Sequence, residues 1–288
     1  MKRAVPTPAE PTHRSRPPRC GPPAFFAARL SAHRERTGGY FELSFTYDEG
    51  PDLRAVVPGA FVMVRGPWDA DPTGPRAFSI LDAPEPGRVT ILLKVYGRGT
   101  ARLAALRPGA AVSLTAPLGR GFSATTAGGP RRLLVAGGVG LPPLHLLARR
   151  AAQAGLAGAV TMIYGGRDAD DLVLVEPLLA CGVEVVLATE DGSAGVRGRV
   201  TAPLAERLDA AAAARTPVEI CACGPEGMLR AVRSLALARR VPAQLCLEAN
   251  MACGFGACLG CAVPVYGPRP YRYCCTDGPV FDAREVRW

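Results

Sequence analysis

Three cysteines, Cys253, Cys258 and Cys261, constrain this chain more than any other feature of its sequence. Their C-x4-C-x2-C spacing is that of plant-type [2Fe–2S] ligands. Thiolates are soft, anionic ligands suited to iron–sulfur clusters. A loop wrapped around a cluster turns tightly and aims backbone N–H groups at sulfides. Gly254, Gly256 and Gly260 permit the angles and close approach that this needs. A fourth ligand is expected further on, at Cys274 or Cys275. Zinc is the competing reading, but zinc knuckles pair C-x2-C units across small spacers, and only one such pair is present. Of the ten cysteines, four candidate ligands (Cys253, Cys258, Cys261 and one of Cys274 and Cys275) fall in this one segment, which favours metal ligation in a reducing, cytoplasmic compartment over a disulfide scaffold. Cys20, Cys181, Cys221 and Cys246 read as structural thiols, and His13, His33 and His145 show no ligand spacing.

Two larger units are expected ahead of this segment. From residue 24 to 127, short apolar or alternating runs (40–47, 60–65, 89–96 and 111–116) are punctuated by Pro-Gly pairs. Short strands at this spacing predict a small antiparallel barrel, with a helical turn over 100–106. Gly128-Gly129-Pro130 is a natural linker. Beyond it, apolar β-branched runs (133–136, 160–164, 184–188, 218–222) alternate with helical patterns over 141–154, 200–214 and 226–238. Strands alternating with helices predict a doubly wound parallel sheet covered on both faces. The expected division is a leader over 1–23, a barrel over 24–127, an α/β domain over 128–245 and a cluster domain over 246–288.

Several glycine-rich turns suit phosphate. Gly137-Gly138-Val139-Gly140-Leu141-Pro142-Pro143 follows a strand and opens a helix, where a pyrophosphate meets helix N-terminal N–H groups. Pro143 replaces the third glycine of G-x-G-x-x-G, so this turn alone is weak evidence of nucleotide binding. Asp191-Gly192-Ser193 and Cys223-Gly224-Pro225 lie at later strand ends, where open α/β sheets bind ligands. In the barrel, Arg76-Ala77-Phe78-Ser79-Ile80 sets an arginine beside a serine, suited to a flavin pyrophosphate or ring edge. Gly97-Arg98-Gly99-Thr100 precedes a short helix and could offer N–H groups to phosphate.

Charge excludes one class of function. The formal charge is +9, but residues 1–36 hold eight basic side chains against Glu10 and Glu35. The excess therefore sits mostly in a Pro-rich start, expected to be solvated and partly disordered. With no aromatic interleaving and no recognised module, nucleic-acid binding is not expected. No stretch approaches the roughly 18 apolar residues of a membrane helix, and the start lacks the apolar core of a secretory signal.

Together these residues resemble the ferredoxin–NADP reductase superfamily, over roughly 24–288. Arg76–Ser79 resembles its R-x-[YF]-[ST] flavin motif, Gly97–Thr100 its G-x-G-T turn, Gly137–Pro143 its G-G-x-G-x-x-P and Cys223–Pro225 its C-G-P. Met251–Cys261, followed by Cys275-Thr-Asp-Gly-Pro-Val-Phe281, resembles the electron-transfer subunits of class 1B dihydroorotate dehydrogenases. In that family the last ligand directly precedes a D/E-G-P-V-F stretch, which implies Cys275 as the fourth ligand. A longer leader and Phe78 at a position where Leu or Tyr is frequent are departures. The resemblance implies FAD, a [2Fe–2S] cluster and NAD as cofactors. It implies an FMN-containing catalytic partner in a heterotetramer of two copies of each chain. Electrons would pass from the partner's FMN through the cluster and FAD to NAD⁺, in pyrimidine synthesis. Arg76, Phe78, Ser79, Ile80, Gly97, Gly99 and Thr100 would hold the flavin. Gly137, Gly138, Gly140 and Pro143 would hold the dinucleotide, and Cys223 would lie at the nicotinamide. A subunit of another ferredoxin- or sulfide-linked NAD(P)H oxidoreductase is the alternative, because its motifs would hardly differ.

Overall fold

A computed structural model describes residues 17–68 and 74–288. The leader expected over 1–23 lies, up to residue 16, outside the described residues.

The first strand, β1 (Ala24–Glu35), alternates exposed and buried side chains over Phe26, Ala28 and Leu30, the period of a half-buried strand. Its length closes the barrel. Its first half pairs with β6 (Ala111–Leu118) and its second half with β2 (Tyr40–Thr46), and a bulge between Leu30 and Ala32 bends it between the two. β3 (Phe61–Arg65), β4 (Arg76–Asp82) and β5 (Arg88–Lys94) complete an antiparallel ring in the order β1-β2-β5-β4-β3-β6. Leu43, Phe45, Val89, Ile91 and Leu114 fill it. A short helix, α1 (Arg98–Ala104), follows β5.

The second unit begins at β7 (Arg131–Gly137), whose residues after Arg131 are all buried, as in a strand covered on both faces. The chain continues through α2 (Leu141–Gln153), β8 (Val160–Gly166), α3 (Val175–Ala180), β9 (Glu184–Thr189), β10 (Val196–Arg197), α4 (Thr201–Ala213), β11 (Val218–Cys223), α5 (Glu226–Ala238) and β12 (Ala243–Cys246). After these come β13 (Ala262–Pro264), β14 (Tyr271–Tyr273), α6 (Cys274–Asp277) and β15 (Val280–Asp282). The sheet runs β10-β9-β8-β7-β11-β12-β15, parallel except for β15. The chain winds outward from β7 in one direction, then returns to β11 and winds in the other. The crevice between β7 and β11 is therefore the switch point where such sheets bind ligands. The boundary expected at 245/246 falls inside β12, and β15 pairs Phe281 with Leu245 on its edge. The cluster segment thereby covers an edge that would otherwise expose unpaired backbone groups.

Several side-chain contacts join the barrel to the sheet, two of them ion pairs. Arg149 of α2 donates to Asp82 at the end of β4, and Lys94 of β5 pairs with Asp171 after β8. His145, one turn before Arg149 on α2, is 4% exposed, with neither ring nitrogen hydrogen-bonded. Burial, then the Arg149 charge, lowers its pKa to about 4, against an opposing effect of Asp82. The unfolded chain titrates near pH 6.5, so it binds the proton first as pH falls. Stability should drop by about 1.4 kcal/mol per pH unit between pH 6.5 and about 4. His145→Phe should remove most of that slope in denaturant melts followed by circular dichroism at pH 5 and 7.5; an unchanged slope would assign the acid sensitivity elsewhere.

Candidate flavin, dinucleotide and cluster sites

A cavity of about 510 Å³ opens where the barrel meets the carboxyl edge of the sheet. Three separately recognised stretches converge on its wall. β4 supplies Phe78 and Ser79, the β5–α1 turn supplies Tyr96 and Thr100, and the sheet edge supplies Val139, Pro142, Cys223 and Cys246. Ile80, expected with them, points elsewhere. It lies on the same strand face as Phe78 but two residues deeper, fully buried in the barrel, with its amide donating to Ala60 O at 3.0 Å. It anchors β4 rather than lining the cavity.

Arg76 lies against Gly99. A Cβ added at Gly99 would come within 2.7 Å of the Arg76 Nε, so a side chain there would displace the guanidinium from its place over the first turn of α1. Arg76 itself donates to Gly74 O at 2.9 Å. The Thr100 hydroxyl is consumed by its own turn. It accepts the Tyr96 and Gly97 N–H groups at 3.0 and 3.1 Å and donates to Gly97 O at 3.0 Å. Thr100 thus shapes the turn and leaves an anion to the backbone and Arg76.

The turn after β7 lies flat on the neighbouring strand. A Cβ at Gly137 would meet Met228 Sδ at 2.6 Å, and one at Gly140 would meet Cys223 O at 2.4 Å. Gly138 adopts φ +51°, in the left-handed region that favours glycine. The close approach that Gly140 permits is therefore to the Cys223–Gly224 backbone, within the protein. Pro142 and Pro143 fall in the first turn of α2, where a missing N–H costs no helical bond; Pro142 faces the cavity and Pro143 is buried behind it.

Cys223 is 2% exposed. Its interaction with the Cys246 thiol, and then burial, push its pKa well above the usual thiol range. It is a protonated wall residue and not a ready nucleophile. Lys94, Glu248 and Asn250, which no sequence motif marks, share the cavity wall. Glu248 is open to the cavity yet surrounded by protein on its other sides, and this burial raises its carboxyl pKa. Its position just beyond β12, at the carboxyl edge, was the signal available for it.

The four expected cluster ligands form two pairs. Cys253 Sγ accepts the Cys258 N–H at 3.4 Å, and the Cys261 and Cys275 sulfurs are 3.2 Å apart. Cys274, the alternative, is fully buried and turned away, donating to Leu247 O at 3.4 Å. Gly254 and Gly256 take φ of +83° and +93°, and the third left-handed residue of the loop is Leu259, not Gly260. Burial raises the Cys253 thiol, but the amides of Cys258, Phe255 and Ala257 outweigh it and hold its pKa near 6. Burial and the adjacent Cys261 push Cys275 up to about 12, so Cys275 ionises readily only with a cation beside it. Two thiol pairs fit a two-iron cluster, which takes four cysteines. No described helix is long and apolar enough to cross a membrane.

Residues 248–287 match the family model described as the iron-sulfur cluster binding domain of dihydroorotate dehydrogenase B, and residues 134–234 match the oxidoreductase NAD-binding domain. The chain is 36% identical to the dihydroorotate dehydrogenase B (NAD(+)) electron transfer subunit of Desulforamulus reducens, over 83% of this chain and 90% of the relative. It is 40% identical to the corresponding subunit of Bacillus caldolyticus, over 80% of this chain and 86% of the relative. Among solved structures it resembles a chain of an NADH-dependent reduced ferredoxin-NADP oxidoreductase. That match has a TM-score of 0.75 and 26% identity over 91% of this chain and 90% of that one. A ferredoxin reductase of carbazole 1,9a-dioxygenase shares the fold at a TM-score of 0.64 and 24% identity, over 76% of this chain and 67% of that one.

Proposed function

The chain belongs to the family of dihydroorotate dehydrogenase B electron-transfer subunits, and from that premise we propose that it is the electron outlet of a two-subunit enzyme. A catalytic partner carrying FMN oxidises dihydroorotate, and this subunit passes the electrons to NAD⁺ in pyrimidine biosynthesis. When bound, FAD and the [2Fe–2S] cluster supply hydride and single-electron chemistry respectively. The observation that carries the reading is the cavity, whose wall joins barrel, dinucleotide turn and cluster segment.

In this reading Arg76 and the α1 amides hold the flavin pyrophosphate, over a surface that Gly97 and Gly99 leave bare. Phe78 and Ser79 bound the ring, with the serine hydroxyl as a hydrogen-bonding group at its edge. Gly137, Gly138 and Gly140 give the dinucleotide turn its flat path, and Cys223 forms the apolar floor for the nicotinamide. Cys253, Cys258, Cys261 and Cys275 hold the cluster. Phe255 and Leu259, 54% and 51% exposed on the cluster loop, flank Cys258 and form the surface for the partner. The complex is a heterotetramer, two copies of each chain, in the cytoplasm, where the cysteines outside the cluster stay reduced.

The test begins with anaerobically purified protein. We expect flavin bands overlain by broad longer-wavelength absorbance, with about two irons and one flavin per chain. Adding an FMN-containing dihydroorotate-oxidising barrel, dihydroorotate and NAD⁺ should then produce NADH. A colourless protein, or NADH formation only with a ferredoxin or sulfide donor, would replace this reading.

A further inference from the structure

The carboxyl ends of β11 and β12 set two thiols side by side, and electron transfer makes no use of them as a pair. Cys223 and Cys246 are direct register partners on neighbouring parallel strands, so their side chains leave the same face of the sheet. Both line the cavity, and each is only 2% exposed. The other cysteine of β11, Cys221, has no such neighbour: it stands opposite Gln244 and accepts from Arg132 at 3.3 Å.

Spacing decides what such a pair can do. Neighbouring strands lie about 4.8 Å apart, whereas a disulfide needs Cβ atoms roughly 3.5–4.5 Å apart. Closing that gap would draw together two strands held on their outer sides by β7 and β15. A single soft atom between the sulfurs supplies the missing length without moving either strand. Thiolates favour soft centres of the Cu(I) type over harder divalent ions. We propose that Cys223 and Cys246 form a two-thiol binding site for one soft, thiophilic centre, a monovalent copper-like cation or a trivalent arsenical, in the floor of the cavity. With an aryl arsenoxide the chemistry balances without electron transfer. Two As–S bonds form, and the two thiol protons leave with the arsenic-bound oxygen as water.

This site goes beyond the proposed function and depends only on β11 and β12. Phenylarsine oxide is therefore the probe, on purified protein carrying its cluster. Excess 2-mercaptoethanol removes arsenic held by single thiols, and iodoacetamide under denaturing conditions then marks every unprotected cysteine. The expected result is one arsenic per chain, with Cys223 and Cys246 protected together, cluster absorbance unchanged and full release by 2,3-dimercaptopropanol. Cys246→Ser should lose the adduct, and Cys181→Ser, at an exposed thiol, should keep it. The wild-type peptide map decides the matter even where a variant folds poorly. Arsenic held by any other cysteines, none retained by the wild type, or ready formation of a Cys223–Cys246 disulfide with diamide would overturn the proposal. No readout involves NAD⁺ or dihydroorotate, so failure here and failure of the proposed function are distinguishable.

Discussion

Cys275→Ser should strip the protein of its iron, from about two atoms per chain to nearly none, whereas Cys274→Ser should keep the full complement. The two cysteines are adjacent in the chain and both buried, so neither sequence position nor exposure separates them. Direction does. The Cys275 sulfur meets that of Cys261 at 3.2 Å, and its amide donates to the same sulfur at 3.5 Å. The Cys274 sulfur is turned to Leu247 O instead, at 3.4 Å, and makes no hydrogen bond to either cluster thiol. Serine at 275 replaces a soft thiolate by a hard hydroxyl, and the Cys261 pair loses half its donors. Serine at 274 keeps a donor for Leu247 O and adds a smaller, more polar group to the core, for a stability cost of about 1–3 kcal/mol. Iron and sulfide counts with the visible spectrum of both variants check this. Equal iron in the two variants would reverse or dissolve the ligand assignment.

Much of this was open to the sequence because its signals were local. The C-x4-C-x2-C run encodes a loop whose ligands, glycines and turn lie within nine residues, Cys253–Cys261. The runs of β5, β7, β8, β9 and β11 were recognisable because parallel and barrel-interior strands are uniformly apolar. β1 escaped notice because arginines and other polar residues on its solvent face interrupt the apolar ones, and only its partners on both sides make it a strand. Motif spacing also overstated what each motif residue touches. Ile80 shares its run and its strand face with Phe78, yet two residues further along it is fully buried in the barrel core. Pro143 and Gly140 sit in the dinucleotide turn, yet they pack against the protein itself. Lys94 and Glu248 had no motif to mark them. Their roles come from long-range closure of barrel on sheet, which no window of sequence contains.

That closure turns on the second large effect. Lys94→Met should destabilise the protein by about 3–5 kcal/mol, the cost of leaving a buried charge without its partner. Lys94 and Asp171 are 8% and 4% exposed, and they join the last barrel strand before α1 to the loop after β8. The ammonium also lies 4.6 Å over the Tyr40 ring, and Tyr164 Oη donates to Asp171 O at 2.8 Å. Arg167 Nε reaches the second Asp171 oxygen at 3.1 Å, but it is largely exposed and cannot replace the buried lysine. Burial alone would raise the Asp171 pKa; hydrogen bonds from Lys94 and Arg167 outweigh it and hold the carboxyl below its usual range. Its contribution to stability is therefore complete above the unfolded carboxylate pKa and is lost as pH falls through the lower folded value. Removing both charges, in Lys94→Met with Asp171→Leu, leaves no ion stranded and should recover much of the loss. Denaturant melts at pH 7 close the double-mutant cycle. Additive losses in the double variant would mean that the two side chains act separately and that barrel and sheet are held together elsewhere, for which the Arg149–Asp82 contact is the next candidate.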